Sequence, residues 1–399
     1  MKDKEKLRKL KKNLKLYYTY RVFCTMNFVM PIFMLFLIDK GLTTFQVFVT
    51  QAAYTLMEML LTVPSGAFAD KVGRKKTLIL STVTYAAAFG IYGFADSFTQ
   101  VLLAEMVFAV ASASFHGTGE AFLYDTLSEA KQQKRYKKSL GTAYAIQSVV
   151  MGLSAVAGGY MAKHDLALPF FLSALPVALS MIPLFFLDEP KRTNKCEDSY
   201  WKLMKDASLF VARHKRLRNV MYFISITSVA GFVSWMLLQP MLTKMGMGLE
   251  FLGFTMMALS VAHGIGNKLA HRFEQAFRKF DLMFVFAGVK SLLYMLVYLA
   301  SSYYLLVWML IRDFVAGIGS PIVSEWINRD SKEENRATVL SLSGMAGCLS
   351  FSLFSPLVGL FVDAYNEQLV YLLLAMVLAT YALRQLVVML IARRYRRSQ

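Results

Sequence analysis

The chain alternates long apolar blocks with short polar connectors, almost from its first residues to its last. A helix needs roughly 20 apolar residues to cross the hydrocarbon of a bilayer. By that measure twelve blocks predict spans, at 16–38, 44–65, 77–95, 98–124, 139–162, 166–187, 219–243, 249–270, 282–300, 303–327, 337–361 and 368–391. The expected fold class is an all-α membrane protein of twelve transmembrane helices, with no room between the blocks for a soluble catalytic domain.

The connectors alternate in charge. Those on one side include EAKQQKRYKK, RHKRLR and HRFEQAFRK, whereas DKGLT, ADSFT, KHD and KMGMGLE on the other are poor in Lys and Arg. Lys and Arg concentrate in cytoplasmic loops, so the pattern predicts a multi-pass protein of the cell membrane with both termini cytoplasmic. The largest connector, 188–218, is the expected cytoplasmic central loop and divides the spans into halves at 1–187 and 219–399. A repeat supports the cut. Gly66, Ala69, Arg74 and Lys75 have a faded echo in Gly266, Ala270, Arg278 and Lys279, and Leu140 and Gly159 recur 200 positions on as Leu340 and Gly359. Two parallel six-helix halves characterise transporters whose substrate site lies between the halves near the midplane.

Composition agrees with the pattern and removes several function classes. Of 399 residues, 56% are hydrophobic and 18% charged, too little charge to cover a soluble surface of that size. The net charge of +18 and the basic runs 2–15 and 393–397 resemble a nucleic-acid footprint. They flank apolar spans, however, so the charge reports topology and no nucleic-acid partner is expected. Cys24, Cys196 and Cys348 lie far apart, with neither a disulfide framework nor metal-ligand spacing. His116 and His263 are single histidines on apolar helices, so neither a metal, a cofactor nor an enzyme site is expected. The run 16–38 is too long for a signal h-region and predicts a retained first span. With no Walker sequence, an ion or solute gradient must drive any uphill movement.

One stretch does not fit a simple span-and-loop reading. PSGAFADKVGRKK, Pro64 to Lys76, interrupts two apolar runs with a dense group of charges. Gly66, Asp70, Gly73, Arg74 and Lys75 match the loop between spans two and three of the major facilitator superfamily, often called motif A. The chain resembles that family along its whole length through span count, halves and central loop. The resemblance implies a conformational latch: Asp70 attracts the positive N-terminal end of span eleven, near Ala337, and Arg74 pairs with Asp125 at the inner end of span four. Gly66 would allow close helix approach and Gly73 a tight reversal. The plainer alternative is a short basic turn, which requires neither Asp70 nor the two glycines.

The sequence also departs from the family pattern. Glu105 stands in span four, where many proton-coupled exporters carry an arginine, Ser154 and Ala155 replace the expected Gly-Pro of span five, and the second-half copy of motif A has His271 nearby but no aspartate. Spans one, four, seven and ten surround the substrate path in the family. Their polar residues are Arg21 and Asn27, His116 and Glu120, Trp235 and Gln239, and Arg312 and Asp313, with Glu58 added from span two. Each lines a cavity or pairs between helices. A proton path is expected through Glu58, His116 and Glu120, fed by Glu105 near the outer end. The alternative is a static pair of Arg21 with Glu58 or Glu120. Lys290 and Arg384 fall on helices that are peripheral in the family, with snorkelling or packing as their expected roles.

The expected function is a secondary transporter, a proton-coupled exporter of small amphipathic compounds. An importer or facilitator on the same fold is the alternative, and a transporter-like sensor a remoter one. The expected partners are a small-molecule substrate, protons or another coupling ion, and the lipid bilayer, with the protein acting as a monomer.

Overall fold

The computed structural model describes residues 2–190, 200–274, 279–300, 302–331 and 336–397. Cys196, Arg278 and the side chain of His116 lie outside the described residues. Regular structure among those described is helical: α1 (Lys2–Cys24), α2 (Phe33–Asp39), α3 (Thr44–Val72), α4 (Arg74–Gly93), α5 (Phe98–Glu129), α6 (Tyr136–Ala162), α7 (Leu168–Leu179), α8 (Met181–Phe186), α9 (Tyr200–Arg213), α10 (Lys215–Lys244), α11 (Leu249–Glu274), α12 (Lys279–Leu299), α13 (Tyr304–Asp330), α14 (Arg336–Ala364) and α15 (Glu367–Arg397). Without water in the hydrocarbon, a helix is the simplest way for one segment to satisfy all its own backbone groups. Among the described residues ten segments are long and apolar enough to span a membrane. The first and third predicted blocks fall on α1–α2, whose beginning is basic, and on α4, diluted by Thr, Tyr and Gly.

Two predicted spans are broken, and proline accounts for both. Pro31 cannot donate to the carbonyl of Asn27 and disfavours helix at Met30, so Thr25–Ile32 runs irregularly between α1 and α2. The N–H of Phe28 is recovered by Ser173 Oγ at 3.0 Å. The bend passes so close to α6 that a Cβ on Gly158 would stand 1.8 Å from the Phe28 carbonyl oxygen. Pro183 likewise follows an interruption at Ser180, between α7 and α8. Capping fixes other ends: Thr43 and Gln46 form a reciprocal capping box at the start of α3, and Ser97 accepts from the Gln100 N–H at the start of α5.

The stretch expected as a loop between spans two and three is helical. α3 continues through Pro64 to Val72 and α4 begins at Arg74, so the connector is Gly73 alone. Its φ of 119° is the reason one residue suffices, since that conformation is open to glycine and strained for a residue with a Cβ. The central connector contains a helix, α9, that the hydrophobic pattern did not predict.

The chain groups into two compact units, Met1–Asp198 with Gly248–Met257, and Ser199–Met247 with Ala258–Gln399. In the first, Leu10, Tyr17, Tyr20, Phe115, Phe122 and Leu184 form one buried cluster joining α1, α5 and α8. In the second, α11 and α13 meet backbone to backbone: a Cβ on Gly266 would lie 2.2 Å from the Phe314 carbonyl oxygen, and one on Gly317 2.1 Å from that of His263.

Candidate functional site

The one-residue turn at Gly73 brings the charges of the predicted motif together at the basic end of the first unit. Arg74 Nη2 pairs with Asp70 Oδ1 at 2.6 Å, across the turn at the end of α3, and Arg74 Nε with Asp125 Oδ2 of α5 at 3.4 Å. The sequence reading missed the group that completes this arrangement. Glu189, just beyond α8, accepts the N–H groups of Arg74 and Lys75 on its two carboxylate oxygens at 2.6 and 2.9 Å. A carboxylate at a helix N-terminus meets both the free N–H groups and the positive end of the dipole. Lys75 Nζ donates to the Phe185 and Leu187 carbonyls at 2.7 and 2.9 Å, Asn13 exchanges two hydrogen bonds with the Asp188 backbone, and Lys9 pairs with Glu129 at 3.1 Å. The end of the first six spans is thereby tied to their beginning. Among the described residues a Cβ on Gly66 would meet nothing within 4 Å.

Deeper in the same unit, Arg21 is 5% exposed and donates through Nη2 to Gln147 Oε1 of α6. Its guanidinium lies 4.9 Å from the Phe115 ring centre and 5.9 Å from that of Tyr144. Its Nε–H has no hydrogen-bond partner among the described residues. The alternative of a static pair with Glu58 or Glu120 does not form. Tyr144 is interposed, presenting its ring to Arg21 and donating its hydroxyl to Glu120 Oε1. Glu58 accepts instead from Ser112 Oγ, which in turn accepts from the Tyr54 hydroxyl at 3.2 Å. Glu105, 2% exposed, accepts from Gln51 Nε2 of α3. Glu105 and Glu120 stand seven and eight residues from Ser112 along α5, roughly 10 and 12 Å, and the side chain of His116, expected between Glu58 and Glu120, lies outside the described residues. Asn27 spends its side-chain oxygen on the Val29 N–H at 2.9 Å, turning the broken segment.

In the second unit Arg312, also 5% exposed, pairs with its neighbour Asp313 at 2.5 Å and donates through Nη1 to Ser234 Oγ of α10. Ser234 is the hub of a buried network. Its hydroxyl lies 3.2 Å from the Tyr294 hydroxyl of α12, and its carbonyl accepts from the Tyr371 hydroxyl of α15 at 3.0 Å. Lys290 of α12 adjoins this group, with Arg312 and Asp313 as the charges facing it and the Phe223 ring centre 5.9 Å from its ammonium. Trp235 is half-buried, whereas Gln239 is fully buried within the packing of α10 and is not open to a cavity. Arg384 has a structural role: it donates to Asn219 Oδ1 at 3.2 Å, beside the paired amides of Asn219 and Gln385. Ser234, Tyr294 and Tyr371 escaped the sequence reading because a single hydroxyl in an apolar run gives no signal until a charge is folded against it.

The family profile described as Major Facilitator Superfamily matches residues 21–355 and 219–399. A relative from Bacillus subtilis (strain 168), named an uncharacterized MFS-type transporter YxaM, is 22% identical over 362 residues, covering 88% of this chain and 90% of its own. The quinolone resistance protein NorA of Staphylococcus aureus is 24% identical over 175 residues, 44% of each chain. Among solved structures, that of the nucleoside transporter NupG superposes with a TM-score of 0.79 at 12% identity, covering 95% of this chain and 98% of that one. These proteins are transporters, not enzymes. The chain belongs to the Major Facilitator Superfamily and is a multi-pass membrane transporter.

Proposed function

We infer that the protein is a proton-coupled exporter of small amphipathic compounds. It acts as a monomer in the cell membrane, with both termini in the cytoplasm. The observation that carries the proton-coupling part is the state of the carboxylates of the first unit. Glu58, Glu105 and Glu120 each accept a hydrogen bond from a neutral donor, Ser112, Gln51 and Tyr144 respectively. A carboxyl in such a setting can be occupied by a proton without breaking an ion pair with its donor. The Asp70, Arg74 and Asp125 group supports alternating access, since these paired charges occupy the positions to which the family resemblance assigns a conformational latch. Likeness to a quinolone resistance protein over 44% of the chain supports export. Import or facilitated passage is the second reading, favoured by Glu105 in place of the exporter arginine and by Ser154–Ala155 in place of Gly-Pro.

Counterflow in proteoliposomes over a panel of amphipathic compounds, quinolones included, with and without an imposed proton gradient, tests both readings. Accumulation that follows the proton gradient, lost in Glu58→Gln and Glu120→Gln while gradient-free exchange survives, is the expected result. Accumulation by both variants against a substrate gradient would remove the proton assignment, and exchange indifferent to the proton gradient would leave facilitation.

A further inference from the structure

Lys290 is the charge in the second unit that family expectation leaves without a role. It stands eleven residues from the start of α12 and nine from its end, roughly 16 and 14 Å along the axis. Both distances are well beyond the reach of a lysine stem, so its ammonium does not snorkel to either membrane face. Among the described residues it has neither a hydrogen bond nor an ion pair; it stands one helical turn from Tyr294, whose hydroxyl meets the Ser234 hydroxyl to which Arg312 donates, and the charged groups acting on it are Arg312 and Asp313. Asp313 is already bound to Arg312 at 2.5 Å. With both side chains protonated, the group holds two cations against one carboxylate, one positive charge in excess. Arg312 adds a second, independent sign of an incomplete site: although only 5% exposed, its Nε–H has no hydrogen-bond partner among the described residues. A buried charge at this depth is costly unless compensated, and such residues mark substrate paths. The rings of Phe223 and of Tyr294 and Tyr371, the last two 6.0 Å apart, add an apolar, aromatic surround.

We propose that Lys290 and Arg312 form a binding site for one singly charged anionic group, of the carboxylate class, carried on an apolar or aromatic body. Asp313 and Ser234 hold Arg312 in place, and Lys290 supplies the charge that the ligand neutralises. Lipid headgroups at either face are too far away to fill the site, so the ligand is a free solute. The inference narrows the substrate class of the transporter proposed above and rests on that reading only for the claim that the bound anion is also moved.

The test compares three probes with one body in binding to the purified full-length protein in lipid nanodiscs: 2-naphthoate, 2-naphthamide and 2-naphthylmethylamine. The anion should bind at least tenfold more tightly than the other two. Lys290→Gln should lose at least tenfold for 2-naphthoate while leaving 2-naphthamide unchanged, and Lys290→Arg should restore the preference. Arg312→Gln should behave like Lys290→Gln if it folds, and Lys290→Gln, which removes no hydrogen bond, decides the matter if it does not. Equal or absent binding of the three probes, or an anion preference that survives Lys290→Gln, overturns the site. Counterflow with the same preparation separates the two claims. Anion binding without movement of any compound would keep the site and sink the proposed export of such compounds, whereas movement of compounds without anion preference would do the reverse.

Discussion

Arg21 in the first unit and Arg312 in the second pose the same physical problem and are held in opposite ways. Each is 5% exposed inside a membrane span, and each leaves its Nε–H without a hydrogen-bond partner among the described residues. Arg312 has an adjacent carboxylate, a serine hydroxyl and two tyrosines organised around that serine. Arg21 has a neutral amide and two aromatic faces, with the nearby Glu120 turned to Tyr144. The ion pair makes Arg312 part of the framework of its unit. An arginine whose charge is met only by an amide and by ring quadrupoles is a weaker structural element and a more available one.

The sharpest way to break that contrast is to remove the carboxylate. Asp313→Asn leaves Arg312 and Lys290 facing each other without a counter-charge. Loss of one partner from a buried pair costs about 3–5 kcal/mol, so a large fall in the thermal unfolding midpoint of the detergent-purified protein is expected. Arg21→Gln should act on a different observable. It removes one hydrogen bond from a charged donor, about 1.5–3 kcal/mol, and with it the opposing cost of a buried charge, so the two changes offset and stability should fall by less than in Asp313→Asn. Transport should nonetheless fall at least tenfold. Equal destabilisation by the two substitutions would show that the arginines are held alike, and unchanged transport in Arg21→Gln would leave it a packing group.

How far the sequence reaches can be judged on the same residues. The spans are legible because twenty-residue apolar blocks have few other uses, and Gly73, Arg74 and Asp125 are legible because a motif fixes their spacing. Arg21, Arg312 and Lys290 are visible as charges in apolar runs, but their partners are not. Gln147, Ser234 and Tyr294 are common residues in such blocks, and only helix packing selects which of them meets a guanidinium. The helical break at Thr25–Ile32 was obscured by its apolar composition, although Pro31 marks it. Glu189 was hidden differently, since it lies 115 residues from the N–H group of Arg74 that it binds and in a connector read only for its net charge.

Glu189 supplies the next prediction and extends the comparison to the basic end of the first unit. Glu189→Gln keeps the shape but removes the charge at the N-terminus of α4, where an anion contributes about 0.3–1 kcal/mol at an exposed site. A loss of roughly 1 kcal/mol in stability is expected at low salt, shrinking at high salt as screening removes the charge–dipole attraction. The ratio of forward to reverse transport rates should shift as well, because the carboxylate also fixes the turn that aims Arg74 at Asp70 and Asp125. A salt-independent loss would mean that the oxygens matter only as neutral acceptors.

The smallest effect is expected where the two units differ most in packing. Gly66 and Gly266 occupy related places in the repeat, yet a Cβ on Gly266 would drive into the Phe314 carbonyl at 2.2 Å, whereas one on Gly66 meets nothing within 4 Å among the described residues. In an open helix interior, alanine is favoured over glycine by roughly 0.5–1 kcal/mol because glycine loses more backbone freedom on folding. Gly66→Ala should therefore leave the unfolding midpoint unchanged or raise it slightly, the opposite of what a glycine retained for close packing would give. Transport then decides what the glycine is for. An unchanged rate makes Gly66 dispensable. A slower rate in a protein of equal or greater stability means that the open space beside Gly66 is filled in another conformation of the transport cycle. A fall in stability would show that α3 is more tightly held there than this structure has it, and the contrast between the two glycines would fail.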